Sequence, residues 1–232
     1  MAKRNRNRAR QSKVRHLIAE INQRSSISEQ YRTVRTNLQY ASVDSDLQTL
    51  LITSSTPEEG KSMTTANLAV VYAQQGKKVL LIDADLRKPT VHYTFRLDNL
   101  NGLSNLLVGD GHLNQIAEAS SIDNLDIISS GPIPPNPSEL LGSKMMQSLI
   151  NEAKQQYDII IFDTPPVLAV TDAQILANIV DGTVLVVRSN KTEYEAAIKA
   201  KETLEKSSAK LLGTVLNDVE KKDGNYYYYY GQ

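Results

Sequence analysis

From Leu47 onward, continuous apolar runs of strand length alternate with segments in which apolar positions recur every three or four residues. Runs such as VLLID, DIIIFD and TVLVV lack the every-second-residue alternation of a strand with one wet face. Strands buried on both faces look like this, and both-face burial is typical of parallel sheets covered by helices. The pattern predicts strands over 47–53, 78–83, 125–129, 158–163, 182–187 and 211–217, and helices over 28–42, 62–75, 144–156 and 193–207. Ser28 is expected to cap the first of these helices, with Glu29 suiting its first turn. Alternating β and α predicts an α/β domain with a doubly wound, mainly parallel sheet over residues 26–217. Residues 1–25 have no sustained apolar period and are expected to form a basic, mobile arm; 218–232 are expected to be a disordered, tyrosine-rich tail. Residues 131–137, GPIPPNP, form a rigid loop in this reading.

Composition narrows the chemistry. The 232 residues include no cysteine, which excludes disulfides, thiolate zinc sites, iron–sulfur clusters and cysteine nucleophiles. No apolar run reaches the ~18 residues of a membrane span, so the chain is expected in the cytoplasm. The formal charge of zero hides an asymmetry: residues 1–15 carry seven bases and no acid, leaving a body of 19 bases and 26 acids. A basic arm on an acidic body speaks of partners rather than fold. Of the 11 tyrosines, five stand together as Tyr226, Tyr227, Tyr228, Tyr229 and Tyr230. His16 lies in the arm and His92 and His112 are isolated and expected to be exposed, so none is expected to take part in chemistry.

The first predicted strand runs into Ser55-Thr56-Pro57-Glu58-Glu59-Gly60-Lys61-Ser62, and a helix follows. The phosphate-loop pattern is G-x-x-x-x-G-K-[ST] between a strand and a helix; here Ser55 replaces the first glycine and the GKS end is intact. Backbone N–H groups of such a loop cradle phosphates, Lys61 reaches the β- and γ-phosphates, and the Ser62 hydroxyl ligates Mg²⁺. Pro57, Glu58, Glu59, Gly60 and Met63 complete the nucleotide-binding loop in this reading. Two acidic motifs join it: VLLIDADLRKP, with Asp83, Asp85 and Arg87, and DIIIFDTPP, with Asp163. Ligands gather at the C-terminal edge of a parallel sheet, so three acids there can support one Mg²⁺ and one base. Asn217, at the end of the last strand, is a candidate for reading the adenine base.

Together, STPEEGKS, LIDADLR, IIIFDTPP and the C-terminal tyrosine cluster resemble the bacterial tyrosine kinases of capsule and exopolysaccharide operons, of the cytoplasmic CpsD/CapB-like type. The segments NGLSNLLVG (101–109) and PPNPSELL (134–141) are similar too, and the resemblance covers about residues 28–232. It implies a P-loop NTPase fold with deviant Walker motifs and transfer of the ATP γ-phosphate to tyrosine, chiefly on the chain's own cluster. By the same resemblance Lys61 binds phosphate, Ser62 holds the metal, Asp83 and Asp163 hold it directly or through water, and Asp85 is a candidate base not separated from Asp83. Glu29, Arg32 and Arg35 match a helix motif that in such proteins mediates ring-like self-association. The resemblance also implies a transmembrane adaptor of the polysaccharide co-polymerase type that activates the kinase at the inner face of the membrane. A cognate phosphatase is implied as well.

Two rivals share features of this sequence. A ParA/MinD-type positioning ATPase would have the fold and both acidic motifs, but its loop resembles GKGGxGKT, and Thr56 stands where its signature lysine would. A regulatory ATP-binding module with an interaction tail is the other. No nucleic-acid partner is expected.

Overall fold

The computed structural model describes residues 17–41, 47–207 and 209–220. Helices α1 (Ile18–Ile21) and α2 (Ser26–Ala41) precede β1 (Thr49–Ser54), α3 (Lys61–Ala73) and β2 (Val79–Asp83). Three short helices follow, α4 (Val91–Phe95), α5 (Leu103–Val108) and α6 (Leu113–Ile116), then β3 (Glu118–Ala119) and β4 (Leu125–Ile128). The rest is α7 (Pro137–Leu141), α8 (Lys144–Ala153), β5 (Ile159–Asp163), α9 (Asp172–Ala177), β6 (Gly182–Arg188), α10 (Tyr194–Lys206) and β7 (Leu211–Asn217).

The strands form one sheet in the order β3-β4-β2-β5-β1-β6-β7, parallel throughout except for β3. The both-face burial predicted from the apolar runs is observed. Ile159 and Ile161 of β5 pack under α1, α2 and α3, while Ile160 and Phe162 pack against α5 to α10 on the other side. Each such side chain is worth about 1.5–3 kcal/mol when fully buried. Strand register sets up the site: Asp163 lies opposite both Ile52 of β1 and Asp83 of β2. The ends of three strands thus meet at one point of the C-terminal edge.

The domain starts earlier than residue 26. Leu17 and Ala19 are buried against α3, the Ala19 N–H donates to Asn67 Oδ1 (3.0 Å), and Gln74 Nε2 donates to the Ala19 carbonyl (2.8 Å). Four residues of helix are too few to register as a period, so residues 17–25 read as part of the arm. The bases between Lys3 and Arg15, and His16, lie outside the described residues. Ser28 does not cap α2. It lies within the first turn, where its N–H donates to Ser25 Oγ (3.1 Å) and its own hydroxyl donates to the Asn22 carbonyl (2.6 Å). His92 is buried, contrary to expectation, because α4 starts on the Asp83 carboxylate at the end of β2 and packs beside α3. Residues 218–220 of the predicted tail are described and the remainder, with all five clustered tyrosines, lies outside the described residues. Among the described residues no helix is long and apolar enough to cross a membrane.

Candidate active site

Residues 55–62 turn from β1 into α3 with two left-handed residues, Glu58 (φ +67°) and Gly60 (φ +89°). Gly60 is required twice over: a Cβ there would lie 2.0 Å from Asn217 Nδ2. Two carbonyls of the loop are held from outside. Arg188 Nη1 donates to the Glu58 carbonyl (3.3 Å) and Asn217 Nδ2 to the Glu59 carbonyl (3.0 Å). In a planar trans peptide the N–H points opposite the carbonyl, so the amides of Glu59 and Gly60 turn inward. Such an inward-facing run of amides at a helix start is an anion cradle.

Beside the loop is a cavity of about 550 Å³, lined among others by Pro57, Glu58, Gly60, Lys61, Ser62 and Met63. Asp85 and Arg87 line it from the β2 side, with Pro165 and Pro166 from the loop after β5. Lys61 Nζ lies 3.1 Å from Asp85 Oδ2, 3.4 Å from Asp163 Oδ1 and 3.2 Å from Ser62 Oγ. Burial works against the ammonium, but Asp163 and Asp85 outweigh it and hold its pKa above the ordinary value.

The three acids are employed differently. Asp83 is fully buried, and its oxygens accept the N–H groups of Asp85 (3.3 Å), Thr90 (2.9 Å) and Val91 (2.9 Å). It therefore shapes the loop that carries Asp85. Burial and then the neighbouring Asp163 raise its pKa to about 7, against the pull of those amides. Asp163 is also pushed up by burial, with Lys61 and Ser62 opposing. Its Oδ1 accepts from Lys61 and Thr65, whereas the buried Oδ2 has no hydrogen-bond partner among the described residues. A bare buried carboxylate oxygen costs ~1–3 kcal/mol or more, and a cation or its water satisfies that need. Among the described residues no three acidic or histidine side chains close a metal cage of their own. One hydroxyl, Ser62, and one carboxylate, Asp163, suit Mg²⁺, which keeps most of its shell as water and phosphate oxygen. Asp85 stands at the cavity wall, bonded to Lys61 and to the Lys88 N–H (3.0 Å).

Three residues sit otherwise than their motifs implied. Glu59 is 3% exposed and turns away from the cavity, its carboxylate accepting from Ser55, Thr56 and Thr192. Asn217 spends its amide nitrogen on the loop backbone. Arg87 lines the cavity, but its guanidinium is committed to Asp172 by Nε (2.8 Å) and Nη2 (3.0 Å) and to Ser138. Lys88, Thr90, Pro165, Pro166, Ala169 and Val170 line the cavity and were not singled out from the sequence, although the Pro-Pro after Asp163 was a usable signal. Thr65 and Thr192 carried none. On α2, Glu29 and Arg32 pair at the surface, while Arg35 Nη1 donates to the Val71 carbonyl of α3 (2.6 Å).

This geometry has known counterparts. The chain matches the AAA domain family over residues 57–213. It is 56% identical over 217 residues to the tyrosine-protein kinase YwqD of Bacillus subtilis, covering 94% of this chain and 92% of that protein. The corresponding values for the putative tyrosine-protein kinase CapB of Staphylococcus aureus are 44%, 90% and 92%. The chain belongs to the bacterial tyrosine-protein kinase family. Among solved structures, this kinase resembles the chimerical protein CapA2B2 with a TM-score of 0.86 at 45% identity, covering 88% of this chain and 90% of that one. It resembles the kinase domain of Escherichia coli ETK with the same TM-score at 37% identity, over 92% and 84% of the two chains. The septum site-determining protein MinD of Pyrococcus horikoshii, solved with Mg-ADP, shares the fold at 26% identity and a TM-score of 0.62 over 73% and 69%. The structure explains the departure from MinD-type loops at Thr56. Its N–H (3.0 Å) and hydroxyl (3.0 Å) close the kinase's loop on Glu59, so the position is used internally. Against the full-length E. coli tyrosine kinase etk the chain is 37% identical and spans only 29% of that protein, so such relatives carry much additional polypeptide.

Proposed function

We propose that the kinase is an ATP-dependent protein-tyrosine autokinase that phosphorylates its C-terminal cluster, Tyr226 to Tyr230, and thereby regulates capsular or extracellular polysaccharide synthesis. The observation that carries the proposal is Lys61 between Asp85 and Asp163 at the mouth of an amide-lined loop. Pro57, Glu58, Gly60, Lys61, Ser62, Met63 and Arg87 are assigned to the nucleotide, with Asn217 beside it. Ser62 and Asp163 are assigned to Mg²⁺, and Asp83 to the metal through water while its oxygens hold the loop beneath. The metal ion would neutralise charge on the phosphates, while Lys61 binds them and Asp85 accepts the proton of the incoming phenol. In-line phosphoryl transfer needs little beyond this positioning and charge.

The tail's root permits transfer between copies, with fold-back into the chain's own site as the alternative. Asn217 and Asp218 lie at the phosphate loop, Asp218 pairing with Arg188 at 2.7 Å. Tyr226 to Tyr230 follow Asn217 by 9–13 residues, a reach of at most roughly 30–45 Å. A globule of this size is roughly 45 Å across, so the tail reaches a neighbour's site in a ring. Glu29 and Arg32 are assigned to that self-association, with Arg35 anchoring their helix on α3. The adaptor at the inner face of the membrane, and a phosphatase that resets the tail, belong to the same proposal.

The test mixes Lys61→Met protein with an intact tail and active protein whose five clustered tyrosines are Phe, in Mg·ATP. Phosphotyrosine is expected on the Lys61→Met tail by phosphopeptide analysis. None on that tail, with wild-type protein active alone, excludes transfer between copies; autophosphorylation by folded Lys61→Met protein by itself overturns the site.

A further inference from the structure

A loop that receives phosphates gains nothing from a carboxylate unless that carboxylate faces away and is met by donors. Glu59 satisfies both conditions. Its Oε1 accepts from Ser55 Oγ (2.7 Å), Thr56 Oγ1 (3.0 Å) and Thr192 Oγ1 (2.5 Å), and its Oε2 from the Thr56 N–H (3.0 Å) and again Ser55 Oγ (2.9 Å). The two residues before Pro57 are thereby tied to the residue before Gly60, so the carboxylate spans the loop across its neck. Thr192 ties it further to the turn after β6, where the same hydroxyl accepts the Arg188 N–H (2.7 Å). Arg188 in turn reaches the Glu58 carbonyl.

The strain in the loop indicates what this lattice is for. Glu58 holds a left-handed backbone that costs a non-glycine residue ~1–2 kcal/mol, and such conformations persist only where the surroundings over-determine them. Removing the carboxylate leaves two hydroxyls and one N–H of the neck without their common acceptor. The loop is then free to relax, and its inward amides lose their aim.

We propose that Glu59 is a positioning residue for phosphate binding: a latch, bridged to Thr192, that holds the loop in its phosphate-receiving shape without touching the nucleotide. This rests on the reading of residues 55–62 as a phosphate loop. It also assigns to Thr192, remote in sequence, a role in nucleotide affinity.

The test is calorimetric titration of the full chain with Mg·ATP, with KM for ATP and kcat measured alongside. Glu59→Ala is expected to weaken binding and raise KM about ten-fold or more while kcat at saturating ATP stays within about three-fold. Thr192→Val is expected to weaken binding about three-fold, and its effect to shrink in the Glu59→Ala background, where only its bond to the Arg188 N–H is left to lose. Glu59→Gln, which keeps one acceptor oxygen, should fall between wild type and Glu59→Ala. Binding by Glu59→Ala within about two-fold of wild type, additive effects in the double variant, or a loss of kcat at unchanged KM would each overturn the latch. Should Glu59→Ala fail to fold, Thr192→Val decides alone: unchanged affinity rejects the proposal. Wild-type protein that binds no nucleotide overturns the phosphate-loop reading itself.

Discussion

At the scale of single residues, the site turns on two carboxylates that share Lys61. Asp85 is at the cavity wall and Asp163 is fully buried behind it. Asp85→Asn should lower the single-turnover transfer rate by roughly 10²–10⁴-fold with nucleotide affinity largely kept, as expected on loss of a general base. Asp163→Asn should instead raise the Mg²⁺ concentration needed for half-maximal rate, because it removes the oxygen that lacks a partner. Equal shifts of metal requirement in both variants would refute the division. Lys61, Ser62, Asp85 and Asp163 are legible in sequence because each stands at a helix start, at a strand end or two residues beyond one, at a fixed spacing. Glu59 and Asn217 were placed correctly along the chain, but their side chains turn to partners near residue 192 and in the loop. No local motif encodes that direction.

At the scale of elements, α2 is joined to α3 by more than apolar packing. Arg35 donates to the Val71 carbonyl in the last turn of α3, one of the carbonyls a helix leaves without an internal partner. The Glu29–Arg32 pair, in contrast, is exposed and worth about 0–1 kcal/mol. Arg35→Ala should therefore destabilise the monomer by about 1–2 kcal/mol in chemical denaturation, whereas the double replacement of Glu29 and Arg32 by Ala should not. If that double variant still loses oligomer mass by light scattering, the exposed pair belongs to the contact between copies. An oligomer of unchanged mass removes it from that role. The six predicted strands all exist, within two residues of the observed ends; in all but the partly exposed edge strand β7, buried runs of β-branched and aliphatic residues leave little alternative. Helices α4 to α7 and α9 have four to six residues each, too short for a period of 3.6 to show, and only their packing stabilises them.

At the scale of the whole molecule, the edge of the sheet opposite the site is closed by Asp181. Its carboxylate accepts from the N–H groups of Gln48 and Thr49 and from Lys154 Nζ, joining the starts of β1 and β6 to the end of α8. Burial works to raise its pKa, but the Thr49 hydroxyl and Lys154 outweigh it and hold the group below its ordinary value of 3.8. A folded-state pKa that is depressed contributes stability above the unfolded value and loses it as pH falls through the folded one. Asp181→Asn should thus cost about 1 kcal/mol at neutral pH, solvent screening keeping it low, and that gap should close as pH falls below about 4. Denaturation curves at several pH values check it; a gap independent of pH would discount the ionised carboxylate. The sequence alone determined the α/β class, six of the seven strands, the phosphate loop and the family, because these follow from local apolar patterning and from residue types at short spacings. Only the tertiary structure decided that residues 17–25 belong to the domain and that Arg35 serves α3. It also decided that Asp83 braces a loop and that Glu59 faces Thr192. Apart from the Asp83 bonds, which reach 2 to 8 positions along the chain, these contacts join residues 36 to 133 positions apart, brought together by how helices and strands pack, and nothing in the local sequence records that packing.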